Sequence, residues 1–450
     1  MSFPFTLPET PEHDGELPDA ADAVIVGGGV IGVCAALALA EDGLRVVLCE
    51  KGRVAAEQSS RNWGWVRVQG RDPAEIPVAL EAQRLWQEFD TACDGRLGLR
   101  RVGVTYLGET EAEVARFSSW LASASPFGVS SRLLDREGVA RLLPGASTRW
   151  AGGAAHADRH GGRAVGRGAR TRPPRAARAA RGVTIRERCA VRTLRTEAGA
   201  VTGVVTERGP IRTERVLVAG GAWSSLFLRR HGVSIPQLSV RATALETGPL
   251  PQVTGTAGVD SRLAFRPRGD GGYTLAPSTA SEFYVGPDAL RAARKYWRVL
   301  RETGFDIRLH PAAPAGFPDA WGTPRHWGDA DETPFERMRI LTPPPNLGKA
   351  HSACAAFAES FPEAGPVTPR TAWAGMIDTM PDVVPVVDRV APVPGLTVAT
   401  GMSGHGFGIG PAFGRIAAAL MQDRDPGHAL TRFRFDRFSD GSPMRPGPGF

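Results

Sequence analysis

The sequence predicts an α/β fold, because three apolar strands each run into a glycine-rich turn and then into a helical segment. These strands end near residues 26, 219 and 400. Units of strand, turn and helix stack their strands into a parallel sheet that helices cover. A chain of 450 residues can bury a large core and is long enough for two domains.

The first turn has the spacing Gly27-x-Gly29-x-x-Gly32, and the next apolar run ends at Glu50. In a Rossmann-like dinucleotide site, the first glycine permits a tight turn and the second lets a pyrophosphate approach the backbone. The third lets the helix pack on the strand, so that its N-terminus faces the phosphates. Glu50 is placed to accept a hydrogen bond from a ribose 2′-OH, which favours FAD or NAD over NADP.

The composition argues against a membrane span, a metal site and a nucleic-acid-binding surface. Ala23–Ala40 is apolar throughout, but its glycines stand where the dinucleotide turn needs them, which disfavours a transmembrane helix. The five cysteines lack metal-ligand spacing and are expected to be the reduced thiols of a cytoplasmic protein. The net charge of +7 resides in Arg163–Arg181, which holds seven arginines and no acid.

Residues 160–181 do not fit the predicted fold, because they contain one valine and no Leu, Ile, Phe or Met for a helix to bury. Three interpretations stay open. The segment is an arginine-rich arm for RNA or an acidic partner, a natural disordered insertion, or the product of two compensating frameshifts, which we favour.

Hydrophobic periodicity predicts the other elements. The glycine loop 401–410 is expected to end at Pro411, which would open a helix that runs to Met421. Residues 240–365 give no clear pattern. The predicted elements are a helix over Ile76–Phe89, a strand over Val102–Leu107, the end of a helix at Val139–Leu143, a β-meander over Val183–Ile211, and strands over Arg215–Ala219 and Gly395–Thr400.

Three motifs together resemble the D-amino-acid oxidase family, and most closely its glycine oxidase, sarcosine oxidase and D-amino-acid dehydrogenase branch. They are the first glycine turn with Glu50, Ala219-Gly220-Gly221-Ala222-Trp223-Ser224, and Ser403-Gly404-His405-Gly406-Phe407. The resemblance spans roughly residues 22–425. It implies a discontinuous Rossmann-like FAD-binding domain, a substrate domain built on an antiparallel sheet, and oxidation of an amine C–N bond to an imine by hydride transfer to flavin N5.

The resemblance also implies domain boundaries and cofactor contacts. We expect a loose N-terminal tail (1–21), an FAD-binding domain (22–90, 150–225 and 366–425), a substrate-binding domain (91–149 and 226–365) and a C-terminal tail (426–450). The expected FAD-binding residues are Gly27, Gly29, Gly32, Glu50, Lys51, Ser59, Ser60, Arg61, Val191, Ala219, Gly220, Trp223, Gly401, Gly404, His405, Gly406, Phe407 and Gly408.

Several family features are altered in this chain. Ile377 stands where glycine oxidase-like members carry an arginine for the substrate carboxylate. Gly375 or Met376 replaces the cysteine that attaches flavin in sarcosine oxidase-like members, which implies non-covalent FAD. Gly408 replaces a lysine of those members, and their oxygen-activating lysine has no counterpart, since the only nearby lysine is Lys295. Oxidase and dehydrogenase activities therefore both stay open.

Arg67 is the residue that we expect to bind the substrate carboxylate, because it lies ten residues before Pro77, as in sarcosine oxidase-like enzymes. His405 is expected beside the flavin. Trp63 and Trp65 are candidates for the wall of the substrate cavity. Tyr273 or Tyr284 is expected to hydrogen-bond the amine of the substrate.

The sequence thus predicts an FAD-dependent enzyme that oxidises a small D-, glycine-type or N-substituted amino acid. Its partners would be that amino acid or secondary amine and either O2 or an electron-transfer acceptor, without nucleic acid. Two alternatives stay open: another flavoenzyme, such as a 2-hydroxy-acid oxidase or a monooxygenase, and a non-catalytic or damaged flavoprotein. A hydroxylase-type monooxygenase usually has Gly-Asp near the second turn, which Ala219–Ala222 lacks.

Overall fold

A computed structural model describes residues 10–147, 149–156, 163–164, 182–278, 281–303 and 307–448. The helices of these residues are α1 (Val30–Glu41), α2 (Gln58–Arg61), α3 (Glu75–Ala92), α4 (Glu111–Ala124), α5 (Arg136–Leu142), α6 (Ser224–Arg230), α7 (Pro287–Thr303), α8 (Pro334–Arg337), α9 (Leu347–Ser360) and α10 (Gly406–Met421).

The strands fall into four sheets. They are β1 (Ala23–Val26), β2 (Val46–Cys49), β3 (Trp65–Val66), β4 (Arg100–Arg101), β5 (Val104–Gly108), β6 (Ser131–Asp135), β7 (Gly152–His156), β8 (Arg163–Ala164), β9 (Val183–Arg186), β10 (Val191–Glu197), β11 (Ala200–Thr206), β12 (Gly209–Arg212), β13 (Val216–Val218), β14 (Leu238–Thr247), β15 (Ala257–Val259), β16 (Leu263–Pro267), β17 (Tyr273–Pro277), β18 (Ser281–Tyr284), β19 (Ile307–His310), β20 (Pro369–Thr379), β21 (Val386–Arg389) and β22 (Leu396–Thr400).

The parallel sheet has the strand order β21-β22-β13-β1-β2-β9, and only β21 runs antiparallel to its neighbour. Helices α1 and α10 pack against each other over one face of it. A Cβ atom at Gly414 would lie 2.6 Å from Cβ of Cys34, and one at Gly410 would lie 2.7 Å from Val30. The two glycines therefore let the helices approach closely. This sheet confirms the predicted α/β fold.

The antiparallel sheet is larger, with the order β19-β18-β14-β17-β16-β15-β5-β7-β6, while β20 pairs with β14. Two of its pairs are parallel, β5 with β15 and β18 with β19. It buries a core of its own, in which Phe357 and Phe361 of α9 and its C-terminal turn contact Phe265 and Tyr273. The resemblance implied such a sheet, and the sequence pattern alone did not reveal it.

The structure confirms most of the predicted elements and corrects one strand. Helix α3, strands β5, β13 and β22 and the end of α5 lie where the periodicity predicts them. The meander, however, comprises only β10–β12. Val183 pairs instead in parallel with Val46, so that β9 forms the edge of the parallel sheet. The alternation of a four-residue strand does not identify its partner, which explains the error.

The glycine loop leads into helix α10 earlier than predicted. The helix begins at Gly406, and Pro411 lies inside it rather than at its start. Proline cannot donate to the carbonyl four residues earlier, which is that of Phe407. The indole Nε1 of Trp86 donates to the carbonyls of Phe407 (3.3 Å) and Gly408 (3.1 Å) instead. A side chain of α3 therefore supplies the donor that Pro411 lacks.

The prediction of a loose N-terminal tail is wrong for residues 10–21. Arg53 donates to the carbonyl of Thr10, Arg208 pairs with Asp14, and Ala20 bridges to Arg212 of β12. Backbone hydrogen bonds and ion pairs thus fix these residues to the meander and the parallel sheet. At the other terminus, Phe433 is buried against Phe413 of α10.

The predicted division into domains stays a prediction. Strands β7 and β20 fall within the ranges 150–225 and 366–425 that we expected in the FAD-binding domain, yet both pair within the antiparallel sheet. The prediction for residues 160–181 lies outside the described residues, except that β8 pairs with β3 and β4.

Candidate active site

A cavity of about 460 Å³ lies between the parallel and the antiparallel sheets. Its parallel-sheet wall, as we call it, contains the ends of β1, β2 and β13 and the turns that follow them. Its antiparallel-sheet wall contains residues of β5, β14, β16, β17 and β20. Ligands of open α/β sheets bind at the carboxyl ends of the parallel strands, which is where the first wall lies.

The first glycine turn has a conformation that excludes side chains at two of its three glycines. Gly27 has φ of +111°, and a Cβ atom there would lie 2.5 Å from the carbonyl oxygen of Ala219. At Gly32 a Cβ atom would lie 2.1 Å from the carbonyl oxygen of Gly27. At Gly29 the nearest atom, Oγ of Ser59, would be 3.5 Å away, so this glycine keeps space open at the cavity.

Glu50 receives backbone hydrogen bonds at both carboxylate oxygens, from Gly28 (2.7 Å) and Gly52 (2.8 Å). Burial raises its pKa to about 7, although Lys51 and the two N–H donors oppose this effect. The carboxylate is therefore fixed beside the turn and lines the cavity.

Ser59 and Lys51 are held by specific contacts in the same wall. Oγ of Ser59 accepts a hydrogen bond from the N–H of Val30 (2.9 Å), the first residue of α1. Nζ of Lys51 donates to Glu57 (2.6 Å) and to the carbonyl of Met338 (2.8 Å), and lies 4.3 Å from the ring centre of Trp223. The cation is thus paired with a carboxylate and a carbonyl at the edge of the cavity that it lines.

A buried carboxylate, Asp378 of β20, supports the third glycine turn. It accepts hydrogen bonds from the backbone of Gly401 (2.7 Å), from Nε2 of Gln237 (3.0 Å) and from Oγ1 of Thr400 (3.3 Å). Burial raises its pKa, and the N–H of Gly401 opposes that shift. Strand β20 thereby ties the end of β22 to the antiparallel sheet.

The antiparallel-sheet wall, together with the segment 63–67 beside it, combines apolar residues with the cation of Arg67 and the polar groups of Tyr106, Thr243 and Asp378. The rings of Trp63 and Trp65 stack at 4.4 Å. The guanidinium carbon of Arg67 lies 5.8 Å from the ring centre of Trp65 and 5.4 Å from that of Tyr106, and its Nη1 donates to the carbonyl of Gln69. Four alanines leave space along the antiparallel sheet: Ala242 and Ala244 of β14, Ala264 of β16 and Ala276 of β17.

His405 precedes the first residue of α10 and faces the buried carboxylate of Glu75. Its Nδ1 lies 3.5 Å from Oε2 of Glu75, and Arg71 is buried nearby. Burial, together with the charge of Arg71, lowers the pKa of His405 to about 4, so the ring is neutral at pH 7. Burial also lowers the pKa of Arg71 to about 9.

Most of the predicted site residues line this one cavity. They are Gly27, Gly29, Glu50, Lys51, Ser59, Arg61, Val191, Ala219, Gly220, Trp223, Gly404, Gly406 and Phe407, together with Arg67, Trp63 and Trp65. The other residues that we predicted as cofactor contacts are not part of the lining: Gly32, Ser60, Gly401, His405 and Gly408.

The two predicted tyrosines lie elsewhere. The hydroxyl of Tyr273 is 3.2 Å from the N–H and 3.1 Å from the carbonyl oxygen of Thr254, and its ring packs 4.8 Å from Phe357 in the core of the antiparallel sheet. Its polar group is therefore already satisfied, and we do not assign it to the site. Tyr284 packs against His310 and Phe317.

Sequence reasoning missed several polar residues of the cavity: Glu57, Gln58, Asn62, Tyr106, Asp378 and Thr400. Gln58 and Asn62 flank the predicted polar residues 59–61, so the sequence could have included them in the predicted site. Asp378 gave no such signal, because its donors come from residues 237 and 401.

Comparison with known proteins identifies the family. The family model described as DAO, FAD dependent oxidoreductase, matches residues 22–420. The chain belongs to this family. It is thus an FAD-dependent oxidoreductase of the amino-acid oxidase and deaminase group, as the three motifs predict.

Two relatives of the DAO family illustrate the range of similarity. Glycine oxidase from Pseudomonas aeruginosa is 27% identical over 424 residues, which cover 90% of this chain and 95% of that protein. Sarcosine oxidase subunit beta from Rhizobium meliloti is 24% identical, covering 93% and 89%.

Solved structures of DAO-type enzymes superpose well on this chain. L-amino acid deaminase from Proteus myxofaciens, in complex with anthranilate, gives a TM-score of 0.87 at 27% identity, covering 96% of both chains. The L-amino acid deaminase from Proteus vulgaris gives 0.88 at 26% identity, covering 95% of this chain and 100% of that one. Within the described part of the chain, no helix combines the length and the apolar character that a bilayer span requires.

Proposed function

We propose that the cavity holds FAD along the parallel-sheet wall, with Glu50 at the ribose and the turn of Gly27 and Gly29 at the pyrophosphate. Three features of the chain fit that group: the space kept open at Gly29, the N-terminus of α1, and a carboxylate beside the turn. Bound FAD supplies the two-electron acceptor for the reaction. The N-terminal residues of α10, Gly406 and Phe407, would face the flavin end.

We propose further that FAD is held without a covalent bond. Gly375 and Met376 line the cavity on β20 and offer no nucleophile for attachment. Protein denatured in acid should therefore release all of its flavin into the supernatant, whereas a covalent link would leave it with the precipitate.

The substrate in this proposal is an α-amino acid or an N-substituted glycine, and its carboxylate binds Arg67. The observation that carries the proposal is the position of this guanidinium, which lines the cavity beside the rings of Trp65 and Tyr106. A guanidinium binds a carboxylate through two parallel hydrogen bonds, which would orient the Cα–N bond. The substrate loses a hydride from Cα and a proton from nitrogen, and water then hydrolyses the imine.

The aromatic residues around Arg67 would exclude water and strengthen its contact with the carboxylate. These aromatic residues are Trp63, Trp65 and Tyr106. The ring of His405 is neutral at pH 7, so it adds no positive charge that would repel an ammonium substrate.

A second candidate substrate is an L-amino acid with a large apolar side chain. The four alanines of the antiparallel-sheet wall leave space for such a group, and two similar structures are L-amino acid deaminases. This candidate differs from the first candidate, a small D-, glycine-type or N-methyl amino acid, which the similarity to glycine oxidase favours.

The test is the visible absorption spectrum of the FAD-loaded protein under anaerobic conditions, before and after addition of single amino acids. Glycine, sarcosine and both enantiomers of alanine and leucine separate the two candidates, and 2-hydroxy acids serve as the comparison class. Bleaching by an amino acid supports the proposal and identifies the substrate class. Bleaching by 2-hydroxy acids alone, or by no amino acid, would refute it.

The electron acceptor that reoxidises the reduced flavin can be tested with the same protein. The cavity lining contains one lysine, Lys51, and Lys295 lies outside it, with Nζ donating to the carbonyl of Phe438. We therefore propose slow reaction of the reduced protein with O2 and fast reaction with an artificial electron acceptor. If air reoxidised the reduced protein as fast as the artificial acceptor does, the proposal of a slow reaction with O2 would be contradicted.

A further inference from the structure

Helix α7 presents a face of apolar and basic residues to the solvent. Its inward residues recur every four positions: Asp288 pairs with Arg229, Ala292 is buried, and the hydroxyl of Tyr296 donates to the carbonyl of Thr379 (2.8 Å). Two large apolar residues point away from this contact. Leu290 is 65% exposed and Trp297 is 66% exposed. They are seven positions apart and therefore share one face of the helix.

Two neighbouring segments add apolar residues beside this face. Leu309 of β19 is 66% exposed and Trp321 is 51% exposed. Strand β19 lies near the start of α7 because the carbonyl of His310 accepts a hydrogen bond from the N–H of Val285 (2.8 Å). The segment of Trp321 does so because Asp319 accepts a hydrogen bond from the N–H of Asp288 (2.9 Å). We call Leu290, Trp297, Leu309 and Trp321 the Leu–Trp surface. It contains most of the exposed large apolar side chains among the described residues, the others being Phe127, Leu133 and Leu347.

The charges around the Leu–Trp surface are predominantly positive. Arg291, Arg294, Arg301 and Arg308 are exposed on α7 and β19. The acid of the first helical turn, Asp288, is buried and pairs with Arg229 and Arg291. The exposed face therefore combines large apolar residues with guanidinium groups.

We propose that the Leu–Trp surface binds the chain to the surface of a membrane that contains anionic lipids. Leucine and tryptophan enter the boundary between headgroups and acyl chains, and arginines contact anionic headgroups, while the rest of the protein stays in water. Charge complementarity selects this occupant, because the arginines would have to lose their hydration against an uncharged partner. The inference is independent of which amino acid the enzyme oxidises.

Vesicle binding by the full-length FAD-loaded protein tests this proposal. We expect cosedimentation with vesicles of phosphatidylcholine and phosphatidylglycerol, weaker binding to phosphatidylcholine alone, and loss of binding at high salt. Leu290→Glu and Trp297→Glu should each reduce partitioning about tenfold, because each removes an apolar group from the interface. Arg294→Gln should reduce it about fivefold on the anionic vesicles only.

Leu133→Glu is the matched control, since Leu133 is 44% exposed on β6, outside the Leu–Trp surface. It should bind vesicles like the unchanged protein. Flavin absorbance and reduction by substrate should be the same in all variants, which separates this proposal from failure to fold. Absence of vesicle binding, or equal binding by Trp297→Glu and Leu133→Glu, would overturn it. So would dimers that dissociate on Trp297→Glu without any binding of lipid, because a second copy would then occupy the surface.

Discussion

The parallel-sheet wall of the cavity is built around the glycine turns that follow the ends of the parallel strands, whereas the antiparallel-sheet wall is built from strands that are distant from one another in sequence. In the first wall, Gly27, Gly29 and Glu50 lie within one strand–turn–helix–strand unit. In the second, Arg67, Tyr106, Ala264 and Ile377 line the cavity together but come from separate parts of the sequence. In the proposed arrangement, the first wall binds the part of FAD that other dinucleotides share, and the second wall determines which substrate fits beside it. Cofactor and substrate recognition should therefore be separable by mutation.

Arg67→Ala should give the largest effect, and it should be confined to the substrate. Loss of the guanidinium removes the charged partner of the substrate carboxylate, so kcat/KM should fall about a thousandfold. Steady-state kinetics with an artificial electron acceptor measures this value, and flavin absorbance checks that FAD content is unchanged. Arg67→Lys keeps the positive charge but lacks the planar guanidinium that forms two parallel hydrogen bonds. It should therefore recover part of the lost kcat/KM. An unchanged KM in Arg67→Ala would contradict our assignment of the carboxylate site.

Gly32→Ala and Gly29→Ala should separate folding from cofactor binding within the parallel-sheet wall. The Cβ atom at residue 32 would lie 2.1 Å from the carbonyl oxygen of Gly27, and this overlap should cost about 3 kcal/mol of unfolding free energy. At residue 29 the nearest atom is 3.5 Å away, so Gly29→Ala should leave the stability of the FAD-free protein unchanged.

Thermal unfolding without FAD and titration with FAD measure the two properties separately. Gly29→Ala should weaken FAD binding at least about tenfold, because its methyl group occupies space at the pyrophosphate. Equal losses of stability in the two FAD-free variants would show that the difference in clearance has no energetic consequence.

Glu50→Gln should weaken FAD binding about tenfold, because the amide is a poorer acceptor for the ribose hydroxyl than a carboxylate is. Burial raises the pKa of Glu50 to about 7 in the folded protein. The folded FAD-free protein then binds more protons than the unfolded chain between pH 4.5 and 7, so Glu50 makes its unfolding free energy fall as pH rises through that window. Denaturant titrations at several pH values should show a shallower decline in Glu50→Gln, and an unaltered decline would contradict the raised pKa.

Trp86→Phe should have the smallest effect, a loss of about 1 kcal/mol in unfolding free energy. The substitution removes the donor to the carbonyls of Phe407 and Gly408 but keeps the ring that stacks 4.9 Å from Phe407. Pro411→Ala would restore a backbone donor to Phe407. In that background Trp86→Phe should cost measurably less, and a double-mutant cycle that shows strict additivity would exclude this compensation.

Prediction from sequence succeeded where the determining contacts are local in the chain. The turn from Gly27 to Gly32 follows from its own residues, because the first turn of α1 and the strand before it are adjacent. Val183 was assigned to the wrong sheet, since its partner Val46 is far away in sequence and four residues do not select a partner. Tyr273 was placed at the substrate for its residue type, whereas Thr254 satisfies its hydroxyl.

The glycine turn that follows β22 contains both a confirmed prediction and a wrong one. Strand β22 and the loop after it were predicted from glycine and apolar spacing. The start of α10 was not, because the acceptor left by Pro411 is satisfied by Trp86, a residue of another helix. Asp378 escaped notice for the same reason, since its donors Gln237 and Gly401 are distant from it in the sequence.

The strand order of the parallel sheet has a consequence for the synthesis of this protein. Its central strand β1 emerges from the ribosome early, yet β13 and β22, which extend the sheet on one side, are translated only near residues 216 and 396. Until then the apolar strand and the helix α1 that follows it lack the surfaces that bury them. The complete parallel sheet, with the glycine turns at the ends of its strands, can therefore form only after residue 400 has left the ribosome.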